Sequence, residues 1–471
     1  MRAAIICSAA DKASENIKRC LLELAPWKLS STDDAKWTFE SFQLLEVEGR
    51  LIHQNGLDRG LAADLLIFAS RHQSETRKGP LLTAHFTGDI CSKAHGQSAG
   101  ALARAAPYAL KLILQNLKRF SAIEVIMEAT HHGPCDIQTP SLFVEIGSSE
   151  RDWVRKDLGN SVARSILEFG SQSENAQCAT AVGFGGGHYA IRHTDVLLST
   201  DVCFGHVFAT HQIECLNRDK IRQAFDRSRA QFAYFDRKSM GKSKNEIESM
   251  VLELGYDVLK AAHIKQRGEI PWEIYLSVRR ALRRNGFPVE NERIIVTAAL
   301  LAGLRNAMFC VDRLDLKRLR MSASILREAQ KVDRYGFLQM IEIEKIVYLE
   351  RKDGTISGIF VPSDVDICVV QKELLERCIA ILNQHYAIEY SPSESKLYIA
   401  VHKFSPRLAK SLGVSEGPLF AKLARGESIK VNDKVVKPED VITKVEKVLD
   451  LTDAYAHDQY PSILADLKRR M

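Results

Sequence analysis

Five histidines in the first half of this chain directly follow short apolar runs, a placement suited to metal binding or acid–base chemistry. His85 closes LLTAH, His131 and His132 follow IEVIMEAT, His188 follows ATAVGFGGG, and His206 closes DVCFGH. Neutral imidazole offers a lone pair near pH 7, and zinc favours imidazole and carboxylate ligands. Apolar runs bounded by Gly and Pro read as buried strands, and α/β sheets collect ligands where strands end. The sharpest cluster is His131-His132-Gly133-Pro134, because Gly and Pro fix a tight turn that would hold two imidazoles in a rigid loop.

Two carboxylates share these runs. Glu145 lies inside SLFVEIG and Glu128 inside VIMEAT. A carboxylate on a buried strand is costly unless it is paired, metal-bound or protonated, so either is a candidate ligand or general base. A salt bridge to a neighbouring helix is the alternative reading of each. Gly185, Gly186 and Gly187 form a loop after a strand, next to His188 and Tyr189. Such loops can present backbone N–H groups to an anion or oxyanion, which makes these glycines and Tyr189 candidate substrate contacts. The loop is not a dinucleotide fingerprint, because His188 stands where the last glycine would fall. His95 and Gly96 precede Ser98, a candidate N-cap, and so sit where a helix N-terminus could hold an anion. No G-x-S-x-G elbow and no H-E-x-x-H helix occurs.

Strands alternating with helices through residue 260 must position these groups. The pattern predicts strands near 1–10, 63–70, 81–86, 123–129 and 141–147, a hairpin over 37–53, and further strands at ATAVGF, DVCFGH and AQFAYF. Helical spacing covers 11–25, 98–120 (with Pro107 as a kink or break), 150–169, 217–230 and 243–255. This is an α/β chain with a three-layer α/β/α first domain and a mixed sheet. A change of pattern near Arg267–Pro271 sets domains at 1–268 and 269–471, the second α+β and mainly helical over 272–335.

Composition limits the alternatives. The chain has 471 residues, 45% of them hydrophobic, and a net charge of +6, which permits an RNA partner without requiring one. Ten scattered cysteines with no Cys-x-x-Cys pair argue against a zinc ribbon and for reduced, mostly buried thiols in a cytoplasmic protein. No segment approaches the length of a membrane helix. Lys93, Arg104, Lys111, Lys118 and Arg119 on or near the long helix could meet RNA phosphates, although charged helix faces are usually just solvated.

HFTGD, HGQSAGALARAAPYAL, EATHHGP, PSLFVEIGSSERDW, GFGGGHY and Gly205-His206 together resemble the archaeal and plant type of D-aminoacyl-tRNA deacylase, over roughly residues 1–260. The second half resembles extensions of longer archaeal members. The resemblance implies a phosphorylase/hydrolase-like α/β/α fold. It also implies hydrolysis of the ester between a D-amino acid and the tRNA 3′ end, with zinc as cofactor, one or two ions per chain. Three departures stand out: Ile191 where the family has proline before Arg192, VFATHQ after His206, and Asp89 where Asn is common. On this reading His85, His131, His132, His188 and His206 supply metal ligands. Glu145, Glu128 and His132 handle protons. A monomer acting on D-aminoacyl-tRNA, away from membranes, is expected. The rivals are an amide hydrolase such as a peptidyl-tRNA hydrolase or zinc exopeptidase, and a non-catalytic tRNA-binding protein.

Overall fold

The computed structural model describes residues 1–30, 35–75, 77, 79–91, 100–171, 178–287, 289–306, 314–391, 393–394, 396–432 and 434–450. The chain divides into two compact units, with the boundary between Trp272 and Glu273. His95, Lys93 and Ser98 lie outside the described residues.

The first unit is built on eight strands in one mixed sheet: β1 (Ala3–Ser8), β2 (Lys28–Leu29), β3 (Lys36–Phe39), β4 (Phe42–Val47), β5 (Leu65–Arg71), β6 (Leu81–His85), β7 (Glu124–Met127) and β8 (Ser141–Gly147). Their order is β2-β3-β4-β1-β5-β8-β6-β7. β1, β5, β6 and β8 are buried on both faces apart from the last residue of β5, which is why they read as continuous apolar runs rather than alternating ones. The predicted hairpin is β3–β4, paired antiparallel. The strands after residue 178 form a second, all-parallel sheet. Its members are β9 (Ala179–Phe184), β10 (Val202–Phe208), β11 (Phe232–Phe235) and β12 (Asp257–Leu259), in the order β10-β9-β11-β12. Alternation of strand and helix does not reveal such a split, because it records crossovers and not which edge each strand joins.

Helices Lys12–Leu24, Pro107–Phe120 and Lys156–Ser171 pack together over the eight-stranded sheet. Asp11 caps the first through the N–H groups of Ala13 and Ser14. The long helix begins at Pro107, not at Ser98: proline occupies the first turn, where its missing N–H costs nothing. Lys111 on that helix is buried and does not face RNA. Its ammonium donates to the carbonyls of Leu197 (2.9 Å), Val202 (2.9 Å) and Thr200. Burial lowers its pKa. Cys91 and Cys215 form a disulfide, against the expectation of reduced thiols; they stand 124 residues apart, so spacing gives no hint of the pair.

The second unit contains three antiparallel sheets. The first joins β13 (Arg293–Val296), β14 (Leu316–Leu319), β15 (Val347–Glu350) and β16 (Ile356–Pro362) in the order β13-β15-β16-β14. The other two pair β17 (Ala387–Ser391), β18 (Lys396–Phe404) and β21 (Ile442–Asp450), and β19 (Ile429–Val431) with β20 (Lys434–Val436). Helices Ala323–Val332 and Ile367–His385 complete its main core. Helices Trp272–Arg284, Ala298–Asn306 and Ala323–Val332 make the described part of 272–335 mainly helical, as expected, with β13 and β14 between them; the apolar IIVTAALLAGL is a strand followed by a helix.

Candidate metal centre

Sheet register brings the site together. β6 runs antiparallel to β8 with Thr83 opposite Glu145, so His85, two residues on, projects from the same face as Glu145. β6 runs parallel to β7 with Ala84 beside Met127, which places Glu128 next to His85 just past the strand end. Backbone bridges then fix the flanking loops. Thr87 pairs with His131, Glu128 pairs with Tyr189, and the Ala129 N–H donates to the His188 carbonyl at 2.8 Å. His72 follows β5, and its ring lies over Gly147, where a Cβ would come within 2.7 Å of His72 Cδ2. Gly133 is likewise required, since a Cβ there would meet the Ile52 carbonyl oxygen at 2.8 Å.

The result is one cluster of imidazoles. Ring centroids of His85 and His131 lie 4.2 Å apart, His131 and His132 4.4 Å, His131 and His188 4.6 Å, and His72 and His188 6.1 Å. His72, His131, His132, His188 and Glu145 line a cavity of about 300 Å³ that Arg50 and Arg71 also border. Within the cluster, His85, His131 and His132 form one set of potential ligands, and His72, Glu128 and His188 another; donor atoms in each lie within 4.8 Å of one another.

Tautomers decide what these rings can do. Nδ1 of His85 faces the Phe86 carbonyl (3.1 Å), that of His131 the Ala129 carbonyl (2.9 Å), and that of His132 the Gly133 carbonyl (2.7 Å). A carbonyl only accepts, so each Nδ1 carries the proton, and each Nε2 of the neutral ring presents a lone pair. His132 reaches this geometry at φ 41°, a left-handed conformation that is strained for a residue with a Cβ. Burial, then the neighbouring imidazoles, push the His131 pKa well below its ordinary value, and burial lowers that of His132 to about 4. Both are neutral near pH 7, as lone-pair donors must be.

The carboxylates are buried against these nitrogens. Glu128 is fully enclosed, with its oxygens 3.0 Å from His72 Nδ1, 3.2 Å from His188 Nε2 and 3.7 Å from His131 Nε2. Neither oxygen completes a hydrogen bond with proper geometry, and buried His85 Nε2 is also unpaired. Such orphaned groups are costly unless something balances them, and nitrogen and carboxylate donors converging at this spacing suit zinc. Glu145 lies 3.6 Å from His72 Nδ1 and 3.7 Å from His85 Nε2. Burial pushes its pKa up, but His72 and His85 outweigh burial and hold it well below the usual carboxylate range. Reciprocally, burial lowers His72 and His85, yet contact with Glu145 leaves both raised.

Four expected site residues take other roles. His206 is not a metal ligand: its Nε2 donates to the Ala103 carbonyl (2.9 Å), and its Nδ1 accepts from the Thr130 hydroxyl (3.1 Å), which leaves no free lone pair. The glycine loop spends two of its three N–H groups within the fold. The Gly185 N–H is spent on the Phe208 carbonyl and the Gly186 N–H on the Ser239 hydroxyl. Tyr189 bonds through its hydroxyl to His72 Nε2 (2.9 Å) and lies under Arg77, so it braces a histidine. His72 itself escaped the sequence reading, although it follows an apolar strand just as the others do.

The chain matches the D-aminoacyl-tRNA deacylase family over residues 59–259. A D-aminoacyl-tRNA deacylase of Methanococcoides burtonii is 38% identical to it, over 96% of this chain and 97% of that one. This chain belongs to that family. The D-aminoacyl-tRNA deacylase of Methanosarcina acetivorans is 43% identical over 56% of this chain and 93% of its own length. Among solved structures, a conserved protein of unknown function is 31% identical, with a TM-score of 0.52, and covers 56% of this chain and 97% of its own. Among the described residues, no helix is long and apolar enough to cross a membrane.

Proposed function

We propose that this cavity is where the chain hydrolyses the ester joining a D-amino acid to the 3′ end of tRNA. Zinc would be held by His85, His131 and His132, and a second ion by His72, Glu128 and His188. The observation that carries the reading is the common tautomer of His85, His131 and His132. Three backbone carbonyls orient three Nε2 lone pairs into one space, which an unliganded histidine cluster has no reason to do. When bound, zinc would supply Lewis acidity toward the ester carbonyl and lower the pKa of water toward ~7.

The chain's own residues supply the rest. Glu145 borders the cavity and is ionised, so it can accept a proton from water and return it to the departing ribose oxygen. Glu128 does not border the cavity and is fully enclosed, which suits a ligand better than a proton carrier. An aminoacyl ester is labile, so positioning contributes most of what catalysis requires.

Deacylation of D-Tyr-tRNA, L-Tyr-tRNA and an N-blocked peptidyl-tRNA by the full chain, with and without chelator, tests this. We expect turnover of the D-ester alone, abolished by chelation and restored by zinc. His132→Ala should lose at least about 10³-fold in kcat/KM while its far-UV spectrum stays native. Cleavage of the peptidyl-tRNA instead, or full activity of His132→Ala, would overturn the proposal.

A further inference from the structure

Charge is divided unevenly between the two units. Residues 1–272 carry 33 Lys and Arg against 32 Asp and Glu, whereas residues 273–471 carry 32 against 27. The unit that holds the imidazole cavity therefore has almost no net attraction for a polyanion. More than half of the second unit's excess lies in one stretch: residues 403–441 hold eight Lys and Arg against five Asp and Glu.

That stretch folds as a small module. Helices Pro406–Ser411 and Pro418–Ala424 and the β19–β20 hairpin surround a core of Ala409, Val414, Leu423, Ile429, Val436 and Val441. So small a core leaves nearly every charged side chain in solvent. Lys410 pairs with Glu416, and Arg425 with Glu427. Lys403, Arg407, Lys422 and Lys434 are exposed and pair with no carboxylate among the described residues. Uncompensated cations on one module repel one another within a Debye length of about 8–10 Å, so the arrangement lowers stability unless a polyanion neutralises it.

We infer that this module is an RNA-binding surface that grips the phosphate backbone of tRNA through Lys403, Arg407, Lys422 and Lys434. The choice of tRNA as the polyanion rests on the proposed deacylase reading. The contacts are to phosphates, so they hold the substrate without reading its sequence or touching the ester. The family model matches only residues 59–259 of the first unit, and the Methanosarcina acetivorans relative matches 56% of this chain over 93% of its own length, which agrees with a second unit that adds binding to a first unit that holds the cavity.

The test uses the full chain, uncharged tRNA and a quadruple variant, Lys403→Glu/Arg407→Glu/Lys422→Glu/Lys434→Glu. A control, Arg327→Glu/Lys345→Glu/Lys352→Glu, reverses exposed charges elsewhere on the second unit. At about 0.1 M KCl the quadruple variant should bind tRNA at least tenfold more weakly. Its slope of log K against log salt should shrink by about 3.6, at roughly 0.9 for each of four lost phosphate contacts. In turnover of D-Tyr-tRNA, KM should rise by a similar factor and kcat should stay within twofold. The control should match wild type. Equal weakening in variant and control would show only a net-charge effect and overturn the inference. So would an unchanged affinity and slope, or loss of binding to vesicles containing 30% phosphatidylserine with tRNA binding intact. Uncharged tRNA requires no catalysis. Inactive protein with the expected binding loss therefore refutes the deacylase reading alone, and active protein with unchanged binding refutes this inference alone.

Discussion

Glu128→Gln should change stability in opposite directions with and without zinc. The substitution keeps size and removes charge. In metal-free protein at pH 8, once the His72 ring 3.0 Å away has released the proton that its raised pKa retains at lower pH, the Glu128 carboxylate is buried with no cation beside it and no completed hydrogen bond. An uncompensated buried charge costs several kcal/mol, of which a conservative share, about 1–2 kcal/mol, should be recovered by Gln. At roughly 2–4 °C per kcal/mol for a unit of this size, the metal-free melting temperature should rise by about 2–8 °C. With zinc the sign reverses. Losing a carboxylate ligand should weaken binding at one site by about 10–100-fold, or 1.4–2.8 kcal/mol at saturating metal. The zinc-induced increase in melting temperature should shrink accordingly, by roughly 3–11 °C.

The measurement is a pair of thermal melts at pH 8, one in chelator and one in excess zinc, with zinc affinity taken from competition against a chromophoric chelator. If the variant melts lower in chelator and binds zinc as wild type does, Glu128 is a salt-bridge partner of a protonated His72. The second ligand set would then not exist.

Three further outcomes follow from the structure. Because His72 and His85 have raised pKa values, each must lose a proton to become a ligand; zinc affinity should therefore climb from pH 6 to pH 8, by up to about tenfold per pH unit for each ring, as calorimetry can measure. The His72 contribution to metal-free stability should move the other way, being complete below the unfolded pKa and lost as pH rises through the raised folded value, while the lowered values of His131 and His132 add stability over the same range; the gap in melting temperature between wild type and His72→Gln in chelator should therefore narrow from pH 6 to pH 8, and a gap that widens would refute the assignment. Lys111→Met should destabilise the first unit by about 3 kcal/mol, since it orphans three buried carbonyls while keeping the apolar stem, and a melting-temperature drop under about 2 °C would show those carbonyls find other donors.

Much of the fold was legible because it rests on local signals. The apolar runs of β1, β5, β6 and β8 contain the periodicity of doubly buried strands, and the β3–β4 hairpin shows in its alternation. What was hidden depends on distant partners. The split into two sheets is set by which edges pair, and the Cys91–Cys215 link by a separation of 124 residues. Lys111 reads as a solvated helix cation until the carbonyls of 197, 200 and 202 are seen to surround its ammonium.

The histidines show most clearly where sequence reasoning ends. His85 closes β6 and His206 lies inside β10, two residues before its end, and both are fully enclosed. What separates them is the partner of the second ring nitrogen. In His85 one nitrogen donates to a carbonyl and the other has no hydrogen bond, so a lone pair points at Glu145 and the neighbouring imidazoles. In His206 both nitrogens are satisfied, one by a carbonyl and one by a hydroxyl that is itself locked by the Val207 N–H. That difference makes one ring a candidate ligand and the other a clamp on the Thr130 turn leading into His131. Strand-end position selects histidines that can reach a site; the hydrogen-bond account of each second nitrogen selects those that can bind a metal there.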